Sequence, residues 1–267
     1  MFFEDLDPIS LQNRGVLLNE IEMNALCQAL CRFWQSSIGK KLIVAVTGII
    51  LVGFLIAHVS GNMLIFAGRE AMNDYAYFLH HFLHGAGIWL FRAVLLAAFV
   101  LHIVATVALT RQNRAAKTER YEREATNVAS GSSRIMIWSG LTVLFFVVFH
   151  IFHFTIRVNP ELADMKMPSG EHDVWGMVIV GFRTPWVILL YAVGVTLLCS
   201  HLSHGIASIF QTLGWRSGRS KDIIGKVGWV IAISLWLGFL SIPMAVAAGF
   251  GDGQVPAPVG EGAATKH

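Results

Sequence analysis

Along this chain the apolar residues neither alternate nor gather on one helical face. They run almost unbroken over five stretches, at about residues 42–66, 88–109, 135–156, 186–210 and 227–250. A helix that is apolar all round is not surrounded by water. Each stretch has the roughly 20 residues that cross about 30 Å of hydrocarbon. The ends carry helix punctuation. Thr184 and Pro185 read as N-cap and first residue of the fourth span, Ser132 or Ser133 as the cap of the third, and Asn159-Pro160 as its close. Pro243, inside the fifth, predicts a kink. Between the first two spans, Ala71, Met72, Tyr75, Phe78, Leu79 and Phe82 recur at helical spacing and predict a short interfacial helix.

Composition agrees. Apolar residues make up 55% and charged residues 14%, against about a quarter charged in soluble domains. Charge adds an orientation. The N-terminal segment and the loops 111–134 and 211–226 hold fourteen of the 20 Lys and Arg residues, which places the N-terminus in the cytoplasm. The net charge of +3 is thus a topological signal, and nothing further supports nucleic-acid binding. Three regions follow: an N-terminal arm (1–39), a five-helix membrane domain (40–250), and a Gly-, Pro- and Ala-rich tail (251–267) expected to be disordered. Glu4, Asp5 and Asp7 give the arm the wrong charge for a signal peptide. Cys27, Cys31 and Cys199 match neither a zinc ribbon nor a disulfide framework and read as small apolar fillers.

The candidate chemistry lies in four histidines, His58, His102, His150 and His201, one in each of the first four spans. An ionisable ring in hydrocarbon is costly and marks a functional site by default. At 1.5 Å per residue, His58 and His150 lie about 15 Å from the outer ends of their helices, and His102 and His201 roughly 22 to 24 Å. Two imidazoles at one depth, from the first and third or the second and fourth spans, can approach a flat ring from opposite faces and fill both axial positions of a haem iron. Such a centre has no open site for oxygen or substrate, so its chemistry is electron transfer. Two centres, one above the other, form a path across the bilayer.

Small residues beside these rings (Gly53, Ala57 and Gly61; Ala98 and Ala105; Ser200, Ser203 and Gly205) permit close helix approach and equally leave room for a macrocycle. A serine, threonine or carbonyl nearby would hold the second ring nitrogen. Arg92, one turn into the second span, reads either as a propionate partner or as a snorkelling side chain. His153 and His204 each follow a proposed ligand by three residues and share nearly its face. They read as supporting or propionate-binding groups, and a swap within either pair remains open. The two His-x-x-His pairs also define a rival, a non-haem metal site or ion pathway, which the two depths disfavour. His80, His81 and His84 read as interfacial surface groups.

Four motifs carry a resemblance: Ser36-Ser37-Ile38-Gly39-Lys40-Lys41, Ala57-His58-Val59-Ser60-Gly61-Asn62, His201-Leu202-Ser203-His204-Gly205 and Gln211-Thr212-Leu213-Gly214-Trp215. With five spans, they resemble the di-haem cytochrome b membrane anchors of succinate:quinone oxidoreductases over residues 23–250. The resemblance implies an all-α integral membrane protein in which four of the five transmembrane helices form a haem-binding antiparallel bundle. It implies that His58 and His150 ligate a distal haem b, and His102 and His201 a proximal one. His201 is favoured over His204 by its distance to the Gly-Trp element at Gly214. The acidic start before Met23 departs from that family's short N-terminus.

The resemblance further implies partners. A flavoprotein subunit and an iron-sulfur subunit of succinate dehydrogenase would sit on the basic face, and electrons would pass to membrane quinone, commonly menaquinone in this family, in a bacterial cytoplasmic membrane. This chain has no Rossmann fingerprint and no Cys-rich cluster motif of its own. The alternatives are a fumarate reductase anchor running in reverse, a free-standing di-haem cytochrome and a metal or ion transporter.

Overall fold

The computed structural model describes residues 24–115, 128–215, 217–218 and 220–255, with side chains from 136 onward in the helix that begins at Val128. The acidic start, the centre of the basic loop and the tail beyond Val255 lie outside the described residues. Helix α1 (24–35) ends at a bend where the Ser36 hydroxyl accepts from the Gly39 amide at 2.9 Å. A Cβ at Gly39 would strike the Phe33 carbonyl oxygen, so this bend requires glycine. α2 (Ser37–Asn62) runs into a tight turn, Met63–Ala67, and α3 (Arg69–His81) follows. After a break at Leu83 and His84, both left-handed, come α4 (Ala86–Ala115) and α5 (Val128–His150). α5 continues as one wide π turn, Ile151–Ile156. The short helices α6 (Pro160–Ala163) and α7 (Val174–Gly181) precede α8 (Pro185–Thr212) and α9 (Lys221–Ala247).

Five of these helices, α2, α4, α5, α8 and α9, are long and apolar enough to cross a membrane, and the described residues form no β-strand. The fold is all-α, as its hydropathy predicts, and the short helix expected between the first two spans appears as α3. Some local readings need correction. α5 begins at Val128, ahead of Ser132 and Ser133, so neither starts it. Thr184 and Pro185 stand as N-cap and first residue of α8, as the sequence predicts, with no cap bond from the Thr184 side chain. Asn159 caps α6 instead of closing the third span, which ends at left-handed Arg157. Cys27 and Cys31 are exposed and fill no core, unlike buried Cys199. Residues 251–255 form turns, with Val255 buried.

Packing sets the site. α2 lies against α4, α8 and α9, and α8 against α5 and α9, whereas α4 makes little or no backbone contact with α5 or α8, and α2 little or none with α5. The arc α4, α2, α8, α5 therefore leaves gaps that only side chains reach across. Where α5 meets α8 the fit is tight: a Cβ at Gly194 would collide with the Phe146 ring. Gly194→Ala is expected to cost about 1–3 kcal/mol through overpacking. Thermal unfolding in detergent measures it, and an unchanged midpoint would show that α5 can slide. Outward faces carry large apolar residues such as Leu96, Phe145, Leu189 and Leu237, as lipid contact requires.

At the end opposite α1, a polar cluster holds the connections together. Arg69 donates to both Asp173 oxygens, at 3.2 and 2.5 Å, and Asn73 donates to the same carboxylate at 2.8 Å. Asp173 also caps α7 by accepting from the Gly176 amide, while Asn73 accepts from the Trp175 amide and Trp175 donates its ring N–H to the Ile65 carbonyl. Burial alone would raise the Asp173 pKa, but the bonds from Arg69, Asn73 and Gly176, with the Arg69 charge, hold it below the ordinary carboxylate value. A depressed folded pKa stabilises above the ordinary range of about 4 and ceases to do so as pH falls through the folded value. The melting temperature is therefore expected to fall at acid pH more steeply in the native chain than in Asp173→Asn. Equal slopes would contradict this assignment.

Candidate functional site

The four membrane histidines sort into two pairs, each bridging helices that do not pack. On α2 and α5, the His58 and His150 rings lie edge to face with centroids 5.8 Å apart. On α4 and α8, His102 and His201 are electrostatic neighbours. The rings are part-buried, whereas His204 is exposed. That places His201, not His204, toward the bundle interior.

The second pair is held in a matched way. Thr47 on α2 sits 3.0 Å from His102 Nδ1, and Ser139 on α5 sits 3.0 Å from His201 Nδ1. Each hydroxyl has a single proton. Thr47 donates its proton to the Ile43 carbonyl at 2.7 Å, and Ser139 donates to the Met136 carbonyl at 3.1 Å. With those protons on the carbonyls, both oxygens can accept from the histidines, an arrangement with Nδ1–H on each ring and the lone pair on Nε2. The residue after each hydroxyl is glycine. A Cβ at Gly48 would lie 3.7 Å from His102 Cε1 and one at Gly140 3.5 Å from His201 Cε1, so these glycines let each ring edge lie against the neighbouring helix.

The first pair has a different support. His58 stacks on Phe54 at 5.2 Å, and the Asn62 amide approaches its Nε2 only at 3.5 Å. The Tyr191 hydroxyl lies 3.1 Å from His150 Nδ1 and 3.0 Å from His153 Nδ1. Tyr191 is buried in the core beneath α7, packed edge-on to Phe182 at 4.8 Å. His153 lies within the π turn, a rare winding frequent at functional sites.

Several sequence-predicted groups lie elsewhere. Arg92 is exposed with its guanidinium 4.9 Å from the Trp89 ring, and its charge acts on His80. His81 stacks on Tyr77 and lies 3.9 Å from Glu171, an exposed pairing. Among the small residues, Gly61 is packed against Tyr75, while a Cβ at Gly205, one turn from His201, would meet no heavy atom within 4 Å. Ala98 and Ala105 are buried and serve close helix approach. Sequence reasoning missed Thr47, Ser139 and Tyr191. The signal for the first two was a hydroxyl residue followed by glycine, Thr47-Gly48 and Ser139-Gly140, on a span next to a histidine-bearing one.

Among the described residues no three His, Cys, Asp or Glu side chains gather to hold an ion. Two imidazoles each bonded to one metal at about 2 Å have ring centres roughly 6 Å apart, close to the 5.8 Å between His58 and His150. Comparison with protein-family models, curated proteins and solved structures finds no match.

Proposed function

We propose that this chain is the membrane-anchor cytochrome b subunit of a succinate:quinone oxidoreductase, passing electrons between an iron-sulfur partner and membrane quinone through two b haems. The observation that carries the reading is the matched placement of His102 and His201, each with Nδ1 3.0 Å from a hydroxyl on an adjacent span that can accept its proton and leave Nε2 to a ligand. A neutral imidazole that ligates through one nitrogen while donating from the other is the usual metal-binding form. His58 and His150, across the neighbouring gap, supply the second pair. Haem held by these four histidines would supply one-electron transfer.

The protein's own part is positioning and exclusion. Thr47 and Ser139 hold two rings from adjacent helices, Tyr191 holds a third, and lipid-facing apolar residues keep water from the pairs. The basic loops at the α1 end support a cytoplasmic face there, on which the flavoprotein and iron-sulfur subunits would dock. The quinone, of the menaquinone class by resemblance, would take or give electrons within the bilayer. Reverse operation as a fumarate reductase anchor uses the same ligands. The absence of a three-ligand cluster among the described residues weighs against the non-haem metal reading.

The test is purification from native membranes in mild detergent. Two larger soluble proteins are expected to accompany the chain, and succinate is expected to bring up the bands of reduced b haem. A haem-loaded chain that purifies alone and reduces quinone from another donor would favour the free-standing cytochrome instead.

A further inference from the structure

We infer that Tyr191 selects His150 over His153 as the haem ligand by imposing opposite tautomers on the two rings, an inference that rests on the haem reading above. The phenol oxygen lies within hydrogen-bond distance of Nδ1 on both histidines, at 3.1 and 3.0 Å. It carries one proton and can donate to only one of them. The other nitrogen must then carry a proton and donate to the phenol oxygen. One ring is therefore Nδ1–H with a free lone pair on Nε2, and the other is the reverse, with its Nε2 lone pair replaced by a proton. Only the first can bind a metal through Nε2.

His58 breaks the tie. Its ring lies against His150, with centroids 5.8 Å apart. The His153 ring instead packs on Phe154 at 4.1 Å and Phe149 at 5.5 Å. The chain of bonds thus runs from His150 Nδ1–H to the Tyr191 oxygen, and from the Tyr191 hydroxyl to His153 Nδ1. Winding makes this possible, because the π turn from Ile151 carries His153 back to the same phenol that meets His150 one helical turn earlier. The two histidines therefore share one anchor and have separate roles. Tyr191 is a positioning residue: by accepting from His150 it strengthens that imidazole as a donor and favours the ferric state of the centre it binds.

The test uses the haem-loaded complex, with redox titration and electron paramagnetic resonance on the native protein, Tyr191→Phe and His153→Phe. In Tyr191→Phe the midpoint of the haem held by His58 and His150 is expected to rise by about 59 mV, the equivalent of a tenfold change in a one-electron equilibrium constant. Its low-field g value is expected to move, while the haem held by His102 and His201 keeps both properties. His153→Phe is expected to retain both haems and shift the same midpoint upward by less. Unchanged potential and g value in Tyr191→Phe, or loss of a haem in His153→Phe, would overturn the inference. If Tyr191→Phe sheds the haem, the His153→Phe result decides. Absence of haem from the native protein would instead defeat the functional reading on which this rests.

Discussion

Replacing any one of His58, His102, His150 or His201 by alanine is expected to remove one haem of two, and the identity of the haem lost is expected to follow the pairs. His58→Ala and His150→Ala should shed the same centre, and His102→Ala and His201→Ala the other. Doubling a substitution within a pair should remove nothing more, whereas one from each pair should leave the chain without haem. Residues that act as a unit are non-additive in this way, and independent sites are additive. The physical basis is that each pair bridges helices with little or no backbone contact, so a ring lost from one side leaves a single axial bond across the gap. Haem quantification with spectral assignment of the remaining centre measures it. Retention of both haems in His201→Ala would move the ligand to His204, against its exposure.

Arg69→Ala is expected to give the largest loss of stability among single changes away from the histidines. It strips from Asp173, whose side chain is 1% exposed, its one salt-bridging cation among the described residues, and leaves the carboxylate with the Asn73 amide and the Gly176 backbone N–H. Breaking a buried pair from one side costs about 3–5 kcal/mol. Arg69 is itself 37% exposed, so water can partly replace it and a value of about 3 kcal/mol is expected. The consequence should extend inward. Asp173 starts α7, and the core beneath α7 includes Tyr191, so the environment of His150 should loosen as well. Thermal denaturation in detergent gives the stability. A midpoint within a degree or two of native would show that the cluster is replaceable by solvent.

The spans and their number were legible because membrane helices announce themselves through unbroken apolar runs, a signal that needs no knowledge of partners. The pairing of His58 with His150 was legible too, since depth along a helix follows directly from its rise per residue. What stayed hidden depends on neighbours distant in sequence. Thr47 meets His102 across 55 residues and Ser139 meets His201 across 62, contacts that no local pattern specifies. Tyr191 looked like one more apolar residue of the fourth span. Asp173 before Val174-Trp175-Gly176-Met177 has the form of a helix start that local pattern does show. Its partner Arg69 lies 104 residues earlier, beyond the reach of any local pattern.

The central claim is that four imidazoles clamp two haems in this chain. Haem quantification combined with low-temperature electron paramagnetic resonance of the purified native protein tests it most directly. Two low-spin b haems per chain, each with bis-imidazole ligation, are the predicted result. A protein without haem, or with a centre that binds carbon monoxide freely at an open axial position, would contradict it.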